Sequence, residues 1–160
     1  MIIVSDATPL IAQSSPGQSA VLQELFAGIL IPQMVYDEEV TNAAGRPGSA
    51  EIRQAEWIGV RSPTDKNRVA YLRADLDAGE AEALVLADEM DAGWILLDET
   101  KTRLAAEFLG LDYIGTIGVL LLAKRMGKLI AIRPLLEEWQ SKKFRISERV
   151  LRIVLDQTGE

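Results

Sequence analysis

Five short strand-like runs punctuate this chain: Ile2 to Ser5, Ile29 to Ile31, Trp57 to Val60, Trp94 to Leu97 and Asp112 to Ile114. Such runs, too short for a helix and separated by helix-like stretches, suit strands buried on both faces of a parallel sheet. The helical stretches follow from their start and stop signals. Thr8-Pro9 places a proline at an early helical position, and Gly17 to Phe26 reads as a second helix. A helix is expected from Pro32 to about Val40, then a loop over Ala43 to Gly48, with shorter helices over Glu51 to Glu56 and Asp65 to Asp75. The run from Gly79 to about Met90 is rich in strong helix formers and is ended by Gly93. Thr100 to Leu109 and Thr116 to Met126 stop at Gly110 and Gly127; Pro134 to Lys142 and Ser147 to Asp156 complete the set, with Ser147 as an N-cap. Strands alternating with helices imply an α/β fold whose right-handed crossovers bring the strand C-termini to one edge.

Acidic residues collect at that edge. Asp6 follows the first strand, Glu38 lies in the helix after the second, Glu80 and Glu82 open the helix before the fourth, and Asp98 follows the fourth. Carboxylates brought together repel, and a divalent cation is the usual remedy; oxygen donors of this kind favour Mg2+ or Mn2+ and point to phosphate chemistry. The chain contains no His and no Cys. That removes disulfides, thiolate metal centres, imidazole-based zinc sites and nucleophilic mechanisms that need a histidine base.

With 160 residues, 48% hydrophobic, and no repeat or linker, the chain is expected to form a single domain over 1–160. It begins without the pattern of a secretory signal, and its longest apolar stretch, Ile117 to Ala123, is far short of the roughly 20 residues of a membrane helix. A cytoplasmic protein with no membrane association is the expectation. The net charge of −7 sits awkwardly with a nucleic-acid partner, but from Lys124 to Arg152 nine Lys and Arg face three Glu. This asymmetry suits either a nucleic-acid surface or solvated helix faces.

The segments Ile2-Ile3-Val4-Ser5-Asp6-Ala7-Thr8-Pro9-Leu10-Ile11, Ile31-Pro32-Gln33-Met34-Val35-Tyr36-Asp37-Glu38-Glu39-Val40, Gly79-Glu80-Ala81-Glu82-Ala83-Leu84 and Leu96-Leu97-Asp98-Glu99 together resemble a PIN domain. The likeness is to a bacterial and archaeal PIN-like subgroup in which Gly-Thr-x-Gly precedes a helix, as Gly115-Thr116-Ile117-Gly118 does here. It covers nearly the whole chain, and its specificity lies in the ordered set. The resemblance implies a three-layer α/β/α sandwich with a mostly parallel central sheet. It also implies an acidic pocket that binds Mg2+ or Mn2+ for cleavage of single-stranded or structured RNA, as in the toxins of toxin–antitoxin pairs. A homodimer and an antitoxin protein are the partners it suggests.

Residue by residue, the resemblance makes Asp6, Glu38, Glu82 and Asp98 the catalytic acids, and Asp6, Asp98, Glu38, Glu80 and Glu82 the metal-binding set. Thr8, Glu39 and Glu99 are supporting positions, and either Glu38 or Glu39 faces the pocket. Glutamate at position 82, where many PIN domains carry aspartate, reaches further and relaxes the metal geometry. Lys101 and Arg103 are weaker candidates for RNA phosphates, with a solvated helix face as the plainer reading. Single acids have plainer roles too: Asp after a strand suits a turn or cap, and Glu80 and Glu82 suit the dipole of a helix start. Gly115 and Gly118 lack the Lys-Ser or Lys-Thr of a phosphate loop and read as turn and close-packing glycines. Two further readings remain: a PIN-like module that binds RNA or protein without cutting, and a Mg2+-dependent phosphatase or phosphoacceptor domain. Against the latter, Ala7-Thr8 follows Asp6 where an Asp-x-Asp pair is needed, and Tyr113-Ile114-Gly115 offers no late-strand lysine.

Overall fold

Strand β1 (Ile3–Ser5) lies at the middle of a five-stranded parallel sheet, with strand order β3-β2-β1-β4-β5. Its neighbours are β2 (Ile29–Ile31), in register at Val4 and Leu30, and β4 (Trp94–Leu96), in register at Ile3 with Trp94, Val4 with Ile95 and Ser5 with Leu96. The edges are β3 (Ile58–Val60) and β5 (Tyr113–Ile114). All of β1 is buried, and its one polar side chain, Ser5, donates its hydroxyl to the Asp6 carbonyl at 2.8 Å. The computed structural model describes residues 1–12, 19–141 and 145–160. The expected helix start at Gly17, the end of the Pro134 to Lys142 helix, and the basic pair Lys142 and Lys143 therefore fall wholly or partly outside the described residues. The chain forms two compact units, Met1–Thr116 and Ile117–Glu160.

In the first unit, helices α1 (Ala7–Ala12) and α2 (Ser19–Phe26) connect β1 to β2. Between β2 and β3 come α3 (Gln33–Tyr36), a π-helical segment (Asp37–Thr41) and α4 (Ser49–Gln54). Between β3 and β4 come α5 (Lys66–Leu72) and α6 (Ala78–Glu89), and α7 (Thr100–Phe108) joins β4 to β5. The chain moves outward from β1 to β2 and β3, then crosses back to β4 and β5. With right-handed crossovers this reversal places α1 to α4 on one face and α5 to α7 on the other, giving three layers. The reversal leaves a crevice where β1 and β4 lie side by side, at their C-terminal ends.

The expected helix from Pro32 to Val40 is not one regular helix. It ends at Tyr36 and widens into the π-helical segment, closed by the Asn42 N–H donating to the Asp37 carbonyl at 2.7 Å. Periodicity cannot reveal such a change, because the residues remain helical in type while their angular spacing shifts. The second strand lies where expected, and the other described elements agree with expectation to within three residues at their ends.

Helix α6 forms the centre of the core. Gly79 to Ala87 are buried throughout except for Glu82, and Ala83, Leu84, Leu86 and Ala87 pack with Val4, Ile95, Leu97 and Ala106. A helix enclosed on nearly all sides has no polar face to spare, which explains a run of Ala, Leu and Val without amphipathic spacing. At its start Asp77 and Glu80 form a capping box: the Glu80 N–H donates to Asp77 at 2.8 Å, and the Asp77 N–H donates to Glu80 at 3.0 Å. At its end Glu89 accepts from the N–H groups of Thr64 and Asp65, so the C-terminus of α6 secures the entry to α5.

The second unit continues α8 (Thr116–Arg125) and contains α9 (Arg133–Ser141) and α10 (Glu148–Thr158). Ser147 caps α10 by accepting from the Val150 N–H, and Gly127 turns in the left-handed region after α8. The Glu160 carboxylate accepts from the N–H groups of Ile132 and Arg133 and from the Lys124 ammonium, which holds its pKa down at about 2. Among the described residues, no helix is long and apolar enough to cross a membrane.

Because Leu84 is fully buried among α6, the sheet and α7, Leu84→Ala should lower unfolding free energy by about 2–5 kcal/mol in a urea titration of the whole chain. A loss below about 1 kcal/mol would show that α6 does not form the core described above.

Candidate active site

The crevice between β1 and β4 begins with Asp6. Its N–H donates to the Leu96 carbonyl at 3.0 Å, so the residue still belongs to the sheet edge while its side chain opens the loop into α1. Asp6 is only 4% exposed, a severe environment for a charge. Its pKa is pushed up to about 7, chiefly by burial. A hydrogen bond from the Ala7 N–H pulls the other way, while the negative charges of Asp77, Glu80 and Glu38 push it further up.

Glu38 arrives from the π-helical segment and faces the same group. Its pKa is raised by burial and then by Asp77, Glu39, Glu82 and Glu80. Gly79 allows this approach, since a methyl group there would stand 3.3 Å from the Glu38 carboxylate and 3.6 Å from that of Asp77. Glu39 has a different environment: burial raises its pKa, and Arg46 opposes the rise. Of the adjacent acids, Glu38 is the one surrounded by carboxylates.

The other expected acids have protein partners. Glu80 is buried and engaged in the capping box with Asp77. Glu82 accepts from the Met34 N–H at 3.3 Å, serving the first turn of α3, where Pro32 has no side chain with which to cap. Asp98 is held by Thr116, whose N–H donates to Oδ1 at 2.8 Å and whose hydroxyl donates to Oδ2. Arg103 stands 3.4 Å from Oδ1. The structure thus groups Asp6, Glu38, Glu80 and Glu82 with Asp77, and gives Asp98 its own setting on the same sheet edge. Among the described residues, no three acids are placed to hold a metal ion as they stand. Glu80, Glu82 and Asp98 share oxygens with protein donors, which leaves each carboxylate further acceptor positions.

Asp77 is the residue that sequence reasoning missed. The spacing Asp77-Ala78-Gly79-Glu80 is a capping-box pattern, and reading it would have placed Asp77 beside the acids at the start of α6. Thr8 is half-buried in the first turn of α1, Glu99 is exposed at the N-cap of α7, and Lys101 is exposed one residue into that helix. Arg103, a weak candidate for a phosphate contact with a solvated helix face as the plainer reading, is partly exposed and packs toward the sheet edge. Its guanidinium contacts Asp98 and lies 5.7 Å from the centre of the Tyr113 ring.

The donor chemistry fits a hard divalent cation. Every acid in the group offers oxygen, and the burial and neighbouring negative charges that raise Asp6 and Glu38 are what a bound cation would offset. Without metal, the raised pKa of Asp6 means that its contribution to stability is complete below its unfolded value of 3.8 and is lost as pH climbs through about 7. At about 1.4 kcal/mol per pKa unit, the whole effect is of the order of 4 kcal/mol. In chelator, the thermal midpoint of Asp6→Asn should therefore fall less between pH 3.8 and about 7 than that of the unaltered protein. Parallel curves for the two proteins would refute the buried-carboxylate account.

Comparison with known proteins bears on the fold and the family. A solved PilT N-terminus domain protein from the hyperthermophilic archaeon Sulfolobus solfataricus P2 superposes with a TM-score of 0.56 at 15% identity, covering 77% of this chain and 93% of its own. At that identity the likeness concerns the fold alone. No functionally curated relative matches the sequence. A model of the PIN-domain family, whose members are generally metal-dependent nucleases, matches residues 2–160. Spanning almost the whole sequence, from the first strand to the last residue, that match shows that this chain belongs to the PIN-domain family.

Proposed function

We propose that the chain is an endoribonuclease dependent on Mg2+ or Mn2+, acting on single-stranded or structured RNA as the toxin of a toxin–antitoxin pair. The observation that carries the metal-dependent part is the carboxylate group in the switch-point crevice, where Asp6 is held with a pKa near 7 among Glu38, Asp77 and Glu80. Burying a carboxylate with like charges beside it is costly to the empty fold, and it is a cost that binding of a divalent cation would offset. The resemblance to PIN-like toxins supports the choice of RNA.

Asp6 and Glu38 are the carboxylates with the strongest reason to take a cation, and Asp98 would hold a metal or its water at the neighbouring position. A bound divalent ion supplies an activated water and compensates charge on the phosphoryl oxygens. The protein's own part is orientation. The β1 register holds Asp6, the π-helical segment aims Glu38, and the capping bonds of Glu80 and Glu82 limit their movement. Thr8, half-buried in the first turn of α1, would orient a phosphate or a carboxylate. The net charge of −7 argues against a strong grip on bulk RNA and for a narrow substrate or an assisting partner. Homodimer assembly and restraint by an antitoxin complete the proposal by likeness to the toxin group.

The test is cleavage of labelled single-stranded and hairpin RNAs with Mg2+, Mn2+ or chelator. Cutting should require metal and fall on the order of 100-fold or more in Asp6→Asn and Glu38→Gln, as expected when a charge-stabilising group is removed from a reaction site. A folded protein that neither cuts RNA nor gains thermal stability with Mn2+ would instead support the binding-module reading. The hydrogen bonds already made by Glu80, Glu82 and Asp98 would then be their whole role.

A further inference from the structure

The surroundings of Asp98 are more elaborate than a helix cap needs. Oδ1 receives both the Thr116 N–H, at 2.8 Å, and Arg103 Nη2, at 3.4 Å, which together take its two lone pairs. Oδ2 receives the Thr116 hydroxyl and keeps one lone pair. The carboxylate is consequently fixed in rotation and presents a single open acceptor. Arg103 is located by more than the ion pair. Nη2 also lies 3.5 Å from the Leu97 carbonyl, and the guanidinium rests over Tyr113, whose hydroxyl donates to Glu107 at 2.7 Å. Its Nε is buried without a hydrogen-bond partner, so the side chain accepts an unsatisfied donor to remain there.

Gly115 makes this packing possible. A methyl group at that position would stand 2.8 Å from Asp98 Oδ1 and would collide with Arg103 Nη2. The pair is long and partly exposed, with side-chain exposures of 38% for Arg103 and 22% for Asp98, so its worth to stability is small. Its consequence is orientation.

We propose that Arg103 and Gly115 are positioning residues that, with Thr116, set the Asp98 carboxylate so that one oxygen is open toward a divalent cation or its bound water. The assignment rests on the metal-dependent reading given above. It replaces a phosphate-binding role for Arg103, and it separates that residue from Lys101, which is exposed on the same helix. Outer partners of a ligand carboxylate typically change metal affinity or turnover without touching substrate.

The test uses the whole chain, with Mn2+ binding followed by loss of the free-ion electron paramagnetic resonance signal and RNA cleavage measured in parallel. In Arg103→Met and Gly115→Ala, the Mn2+ concentration for half-binding should rise about 10-fold and kcat should fall about 10- to 100-fold. The KM for RNA should stay within about twofold, because uniform substrate binding is untouched. Arg103→Lys should recover little, since it replaces the planar guanidinium that rests over Tyr113 while holding one nitrogen, Nη2, between Asp98 and Leu97. If Arg103→Met leaves Mn2+ binding and kcat unchanged but raises KM, with rescue by lysine, Arg103 is a phosphate contact and the proposal is overturned while the nuclease reading stands. If the unaltered protein binds no Mn2+, both readings fall. Gly115→Ala, which keeps every hydrogen-bonding group, provides the second variant should Arg103→Met not fold.

Discussion

Asp6 concentrates the physical tension of this structure. It follows the fully buried central strand, it remains hydrogen-bonded to β4, and its carboxyl is enclosed with three other acids around it. Burial disfavours the charged form, and like charges add to that cost. A fold whose central strand ended in Asn or Ser would avoid the cost entirely. Retaining it is reasonable only where the carboxylate has work to do, and membership of the PIN-domain family supplies that context.

The neighbouring acids show how one residue serves both the fold and the site. Asp77 and Glu80 close the first turn of α6, the helix on which the core depends, and they also place negative charge beside Asp6. Glu82, on the next part of that helix, satisfies a backbone donor at the start of α3. The N-termini of α3 and α6 are thereby directed at one region. Their dipoles partly compensate a cluster that would otherwise be harder to hold together. The local rule that acids belong at helix starts, and the functional rule that acids gather at a cation site, are met by the same side chains.

Asp98 illustrates a different solution. It is accommodated by donors from Thr116 and Arg103, and Gly115 supplies the space those donors need. The Gly-Thr segment thus belongs to the edge of the sheet beside β5, where it grips a carboxylate rather than a phosphate. Glu80, Glu82 and Asp98 each also serve protein donors. Their oxygens are shared with the backbone, and any cation would compete for what remains.

Much of this was legible in the residues themselves. The five strands, the apolar helix from Gly79, the glycines that stop α7 and α8, and the Ser147 cap all follow from local chemistry: buried strands need continuous apolar runs, and helix ends need particular caps. The ordered acidic motifs likewise indicate the family. Tertiary structure alone decided which acids meet. The widening of the helix at Asp37 into a π-helical turn aims Glu38 rather than Glu39, and a pattern with 3.6-residue spacing carries no sign of that step. Asp77 joined the group, and Asp98 received its own donors from Thr116 and Arg103, because contacts between residues distant in sequence depend on how the strands are ordered and how α6 packs. Local propensity determines the elements; the neighbours of each charge are determined by the burial and strand order that no single segment contains.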